Sequence, residues 1–357
     1  KGPALSTIYF GGGTPSLLSP CQIKGLLQHL REHFGIQEGC EITLEIDPSS
    51  FDEKKLEGYI NVGINRLSLG AQNFDDSVLK SLGRRHTGKD VKESCRLINK
   101  AYETSQIVSW SLDLIQNLPG ENLINWGKQL SQAIETSPPH LSIYDLSIEP
   151  GTIFSIKERR GELNLPQEDL AADISLMTNS VLGSFGYKRY EISNYSLPGH
   201  LSRHNRVYWN GSGWWAFGQG ATSSPWGERF SRPKTRDSYQ DWIEQQELKG
   251  VHSSLHFNSA APLCLEDLLM VGLRRREGVN LEKLAHRMGW DNDQSKLHFD
   301  SLLLRLRSYF GEDILQNMGK TIRLTDPKGM EISNQVLVEM FLWWESLTLD
   351  SVCLSNP

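Results

Sequence analysis

Over the first 150 residues, short β-rich apolar runs alternate with longer amphipathic stretches. The runs cover 7–10, 41–46, 66–69, 108–115 and 141–148. Between them, 22–34, 52–62, 89–103 and 122–137 carry apolar residues at helical spacing. Strand-then-helix order predicts βαβ units around a parallel sheet. Units of roughly 30–40 residues suit a TIM-type barrel or part of one, although a doubly wound open sheet fits the same pattern. After 152 the rhythm changes. A charged stretch at 157–161 precedes a predicted helix at 167–185, and 187–195 reads as another strand running into a loop. The segment 204–221 is rich in aromatics and glycine, which predicts an extension packed beside a barrel mouth. From about 262 the chain turns helical. Helices at 263–273, 281–288 and 298–309, a short strand at 321–325, a turn at 327–329 and a helix through 343 suggest a winged-helix-like module. The predicted domains are a barrel at 1–190, an extension at 191–260, the helical module at 261–346 and a dispensable tail at 347–357.

In a parallel barrel the chemistry lies at the C-terminal ends of the strands. Here the first run ends in Gly11-Gly12-Gly13-Thr14 and the second in Glu45-Ile46-Asp47-Pro48. The third ends in Gly70-Ala71-Gln72, the fourth carries Asp113, and the fifth ends in Ser147-Ile148-Glu149. Glycine lets a ligand approach the backbone, and Pro15 fixes φ where a helix can follow. Such a rim suits a ligand with ribose hydroxyls, an amine and a carboxylate. A tight turn would explain the glycines equally well, and Asp47, before a proline, reads as a turn former.

Charge and composition narrow the classes. The net charge of −6 argues against a general nucleic-acid-binding surface. Arg274-Arg275-Arg276 is the basic cluster of the helical module, and packing or partner docking suits it better than DNA. No apolar run approaches the ~18–20 residues of a membrane span. The cysteines, at 21, 40, 95, 264 and 353, are scattered and odd in number. That pattern points to a reducing compartment, and no two share a metal-ligand spacing. The chain begins at Lys1 rather than Met, so an N-terminal part with any targeting information is expected upstream.

Taken together, Tyr9 to Ser16, Glu45 to Pro48, Gly63 to Phe74, Leu82 to His86, Asp113 to Gly120 and Glu149 to Thr152 resemble the coproporphyrinogen III oxidase-like radical SAM proteins. The run His204-Asn205-Arg206-Val207-Tyr208-Trp209 resembles the haem-chaperone (HemW) branch of that family. The resemblance implies an α/β fold: a partial TIM-like radical SAM barrel, an α+β extension and a C-terminal winged-helix-like module. It implies S-adenosylmethionine as cofactor, its amino-acid end held by Gly12, Gly13 and Thr14. Glu45, Gln72 and Asp113 would lie along it, with Ser147 in the same lining. Arg84 would pair with the methionine carboxylate, which a guanidinium fork fits.

The resemblance also implies a 4Fe–4S cluster on a CxxxCxxC loop, a spacing these 357 residues do not contain. The barrel is therefore expected to lack its first strand and cluster loop, and this chain by itself is expected not to cleave S-adenosylmethionine. His204 could ligand haem iron or could simply be bonded within a domain contact; His86 is a second haem candidate. Implied partners are haem or porphyrin and a haem-accepting protein, without nucleic acid. The implied compartment is the cytoplasm, or a mitochondrial or plastid matrix if a transit peptide lies upstream. Two alternatives stand beside haem delivery: oxygen-independent coproporphyrinogen III oxidation, and a cluster-free haem-binding module.

Overall fold

Ser19 begins the first helix with a capping box, its hydroxyl and the Gln22 amide answering each other's backbone N–H groups, with Pro20 in the first turn. Thr87 with Asp90 and Asn122 with Asn125 do the same for later helices. These signals fix where the chain leaves each strand end. The computed structural model describes residues 3–225, 229–249 and 264–353. It divides into two compact units, residues 1–204 and 205–357.

In the first unit, strands β1 (Leu5–Phe10), β2 (Ile36–Ile46), β3 (Arg66–Gln72), β4 (Ser109–Gln116) and β5 (His140–Asp145) pair in parallel in chain order. Helices α1 (Pro20–His33), α2 (Glu53–Asn61), α3 (Asp76–Ser81), α4 (Gly88–Glu103) and α5 (Leu123–Glu135) connect them. The chain continues through α6 (Ile153–Arg159) and α7 (Glu168–Ser184) to β6 (Lys188–Arg189) and β7 (Asn194–Ser196); α8 (Arg203–Trp209) begins in this unit and ends in the second. The sheet order is β1-β2-β3-β4-β5-β7-β6, with β7 antiparallel to both neighbours. The fold is α/β around a mostly parallel sheet.

One sheet face is apolar and covered. Ile42, Leu44 and Ile46, Leu67 and Leu69, Trp110, Leu112 and Leu114, and Leu141 and Ile143 are buried in one cluster with Ile23 and Leu27 of α1 and Val91, Cys95 and Ile98 of α4. Side chains alternate along a strand, so the residues between them face the other way. Those residues are polar: Glu41, Thr43 and Glu45, Arg66 and Ser68, Ser109, Ser111 and Asp113, and His140 and Ser142. The candidate site is the upper rim of that second face.

Several boundaries depart from the sequence reading. Strand β5 stops at Asp145 rather than at 148; its last ladder bond runs from the Leu146 N–H to the carbonyl of Gln116, where β4 also ends. The strand expected over 187–195 is two short strands, since the Arg189 guanidinium bonds the Ile192 carbonyl and the Glu191 carboxylate bonds Asn194, closing a tight loop. Helices α3 and α6 were not foreseen; each is at most seven residues, too short for helical periodicity to show.

In the second unit, β8 (Thr222–Ser223) and β9 (Phe230–Ser231) form an antiparallel pair before α9 (Arg236–Lys249). Helix α9 carries no continuous apolar stripe, so helical periodicity does not mark it. Then follow α10 (Leu265–Leu273), β10 (Val279–Asn280), α11 (Leu281–Met288), α12 (Asn292–Arg305), α13 (Arg307–Gly311), β11 (Leu315–Asn317), β12 (Thr321–Leu324), α14 (Lys328–Glu331) and α15 (Ser333–Cys353). The three strands form one sheet, ordered β10-β12-β11. The helix expected at 298–309 starts earlier and breaks at Leu306, which leaves helical geometry. Residues 347–353, expected as tail, continue α15. The expected helix start at 263 and the end of the extension at 250–260 lie outside the described residues.

Candidate functional site

The β1 end is tied to β2 by a carboxylate. Glu45 Oε1 accepts from the Tyr9 hydroxyl at 2.7 Å and Oε2 from the Gly12 N–H at 3.1 Å. Burial pushes the Glu45 pKa up, opposed by those two bonds. Gly12 has φ of +101°, a region that favours glycine. A Cβ on Gly11 would lie 2.7 Å from the Tyr9 ring, so only glycine lets this ring pass. Around Gly13 nothing lies within 4 Å of where a Cβ would be. Thr14 is exposed and opens a 3₁₀ turn, its carbonyl accepting from Leu17 N–H at 3.0 Å.

Asp113 stands two strands away. Its Oδ2 accepts from the Ser68 hydroxyl at 2.7 Å, and that hydroxyl also meets Ser111 Oγ at 2.8 Å. Its Oδ1 is sealed from solvent yet has no hydrogen-bond partner. Burial pushes its pKa up to about 6, against the pull of the neighbouring Ser142 hydroxyl and of Ser68, the one that makes a hydrogen bond to it. Glu45 raises it further, and Arg66 on the same face lowers it. A buried, unbonded carboxylate oxygen is costly unless a donor reaches it.

Gln72 ends β3 at a register shift and with φ of +67°, a left-handed conformation rarely adopted by a non-glycine residue. The kink turns its side chain back over Gly70, where a Cβ would lie 3.1 Å from Gln72 Nε2. Arg84 reaches Asp47 Oδ2 at 3.5 Å, both side chains about one-third exposed. Asp47 also faces His86 Nδ1 at 3.4 Å. So Asp47, expected only to form a turn, also anchors the segment that carries Arg84. His86 Nε2 lies 3.2 Å from the Ala71 carbonyl, which leaves a fully buried imidazole with both nitrogens engaged and unsuited to haem. Ser147 is exposed beyond β5, its hydroxyl donating to Glu149 Oε1 at 3.2 Å.

His204 closes the first unit against β1. Its Nδ1 lies 2.9 Å from Thr7 Oγ1, and its ring stacks on Tyr9 with centroids 4.9 Å apart. The buried Glu41 carboxylate accepts the backbone N–H groups of Arg203 at 3.1 Å and His204 at 2.8 Å. Burial drives the His204 pKa down to about 4, so the ring is neutral at neutral pH. Tyr9 thus touches both His204 and Glu45.

The sequence reading passed over Tyr9, Glu41 and Ser68. The signal was period-two alternation: Tyr9 lies between Ile8 and Phe10, and Glu41 and Ser68 alternate with apolar positions in the same way. It also passed over Glu121, whose carboxylate accepts the Asn117 N–H at 2.5 Å and holds the loop after β4.

The residues fit S-adenosylmethionine in one respect that can be tested on this chain. The cofactor offers an ammonium and ribose hydroxyls as donors, and the rim holds two carboxylates, one with an unanswered oxygen. They do not fit a three-thiolate cluster. Cys40 and Cys95 are buried, with thiols pushed up to about 11 and about 12 by burial; Cys21 and Cys264 are exposed and separate. No group of three metal-ligating side chains occurs among the described residues. Nor, among them, is any helix long and apolar enough to cross a membrane.

The Radical SAM superfamily model matches residues 1–126. The heme chaperone HemW of Synechocystis is 38% identical over 355 residues, 96% of this chain and 84% of that one. HemW of Lactococcus lactis is 31% identical over 352 residues, 95% and 85% of the two chains. The mitochondrial radical S-adenosyl methionine domain-containing protein 1 of Bos taurus is 29% identical over 360 residues, 98% and 75% of the two. Among solved structures, the coproporphyrinogen III oxidase HemN of Escherichia coli superposes with a TM-score of 0.72 at 21% identity, covering 94% of this chain and 77% of that one. That likeness extends to the fold.

Proposed function

Because the chain belongs to the HemW family of radical SAM proteins, we propose that it binds S-adenosylmethionine at the β1–β4 rim and carries haem for delivery to an acceptor protein. The observation that carries the first part is the sealed, unbonded Oδ1 of Asp113. A ligand N–H or O–H would satisfy it, and an ionised acceptor makes the stronger bond. Gly12, Gly13 and Thr14 would receive the amino-acid end and Arg84 its carboxylate. Glu45, Gln72 and Ser147 would line the rest. Asp47 holds Arg84 by an ion pair that a ligand carboxylate can replace.

In this family the cluster supplies the electron that cleaves the cofactor. The described cysteines do not form such a set. Binding and carriage need only the residues named. His204, neutral and fixed through Nδ1, is in the form an iron ligand takes when Nδ1 carries the proton. Animal relatives named mitochondrial support an organelle matrix as one compartment and the bacterial relatives support the cytoplasm as the other.

Equilibrium dialysis of the chain with labelled S-adenosylmethionine tests the cofactor. Asp113→Asn should weaken binding by about tenfold or more, the worth of one charged hydrogen bond. A chain that does not retain the label refutes the cofactor reading. Haem titration tests the cargo: a Soret shift is expected, and it should change position in His204→Ala.

A further inference from the structure

Among the described residues of 205–357, Arg232 is the one charged side chain that is buried, at 6% exposure. It sits in an aromatic cage. The guanidinium carbon lies 5.4 Å from the Phe217 ring centroid and 5.6 Å from those of Phe230 and Trp242. Nη1 donates to the buried Ser223 hydroxyl at 2.9 Å. No carboxylate lies within ion-pair reach of Arg232 among the described residues.

Three other arginines of this unit have an acid, while Arg274, Arg275 and Arg323 bond amide oxygens. Arg206 pairs with Glu277 at 2.8 Å, Arg305 with Glu339 at 2.8 Å and Arg229 with Asp267 at 4.0 Å. All three are more exposed and have less need of an acid. Acids are not scarce in a chain with 43 of them. Buried charges are ordinarily paired or fully hydrogen-bonded, and a guanidinium has five donors to answer. Aromatic faces offset part of the lost hydration but supply no acceptor. The cage is also accessible on one side, because Phe217 is 58% exposed.

We propose that Arg232 is the anchor for a carboxylate on a planar aromatic ligand, with Phe217 as the ring that meets the ligand's face. Resting on the haem reading above, that carboxylate is a haem propionate. A carboxylate takes the guanidinium fork in two parallel hydrogen bonds, and an ester cannot. The anchor concerns the propionate edge only and is independent of the iron ligand.

The test compares haem with its dimethyl ester, in which both propionates are blocked, by Soret titration of the full chain. Wild type should bind haem about tenfold or more tightly than the ester. Arg232→Met should bind haem as weakly as wild type binds the ester, and the ester unchanged. Arg232→Lys should recover part of the preference, because it keeps charge without the fork. Equal binding of haem and ester by wild type overturns the anchor while leaving haem carriage intact, and this arm needs no variant to fold. A preference retained in Arg232→Met overturns it too. No Soret shift with either ligand overturns the haem reading and the ligand assigned to Arg232 together.

Discussion

Two charged side chains, the partly buried Asp113 and the buried Arg232, are housed in opposite ways. Asp113 stands among hydroxyls, with Ser68 bonded to one oxygen and Arg66 near enough to lower its pKa. Arg232 stands among rings, with one hydroxyl and no acid. The first environment is built from alternate positions of regular strands, the second from a short strand pair and α9. Hydroxyls can hold an anion in either protonation state. Rings hold a cation that cannot titrate away. So the acid is the side that can switch, and the base is fixed. If both are ligand contacts, the cofactor rim should respond to pH near neutrality and the aromatic cage should not.

That difference gives the largest expected effect. The Asp113 pKa is raised to about 6, so the carboxyl is protonated below that value and charged above it. Cofactor binding through the ionised form should strengthen as pH rises from 5 to 7, by about tenfold, and then level. Asp113→Asn should flatten the profile. Haem-over-ester preference should stay constant over the same range. A profile of cofactor binding that is flat in wild type would mean that Asp113 does not meet the ligand as a carboxylate.

Much of the rim was legible because a parallel sheet places function at strand ends, and strand ends are marked by glycine, proline and acids. Gly12, Glu45 and Asp113 could be picked out on that basis. What the residues did with one another was not legible. That Glu45 spends both oxygens on Tyr9 and Gly12 follows from register between β1 and β2, which no local pattern encodes. The bulge at Gln72 is hidden because nothing at position 72 announces a left-handed residue. The sequence does not show what His204 meets, because its contact with Thr7 spans 197 positions. Arg232 was invisible as a site: in sequence it is one basic residue in a polar stretch, and its cage forms only when α9 brings Trp242 beside Phe217 and Phe230.

Within the rim, adjacent glycines should separate conformation from contact. Gly12→Ala forces a side chain into φ of +101° and should lower stability by about 1–3 kcal/mol in a denaturant titration. Gly13→Ala meets open space, so stability should hold while a cofactor lying against that backbone is pushed away. Equal stability loss in both variants would mean that the loop is a turn and nothing more.

Arg84 offers the smallest stability effect and the cleanest separation. Its contact with Asp47 is 3.5 Å long and partly exposed, a pair of the kind worth about 0–1 kcal/mol. Arg84→Lys keeps the charge but loses the planar fork, so the melting temperature should stay within about 1 °C. Affinity for S-adenosylmethionine should nevertheless fall several-fold, and the loss should be absent for a ligand lacking the methionine carboxylate, such as methylthioadenosine. If the variant weakens both ligands equally, Arg84 acts by holding Asp47 and the loop after β2. If it weakens neither, the guanidinium is a surface charge, and the carboxylate end of the cofactor rests on the glycine loop alone.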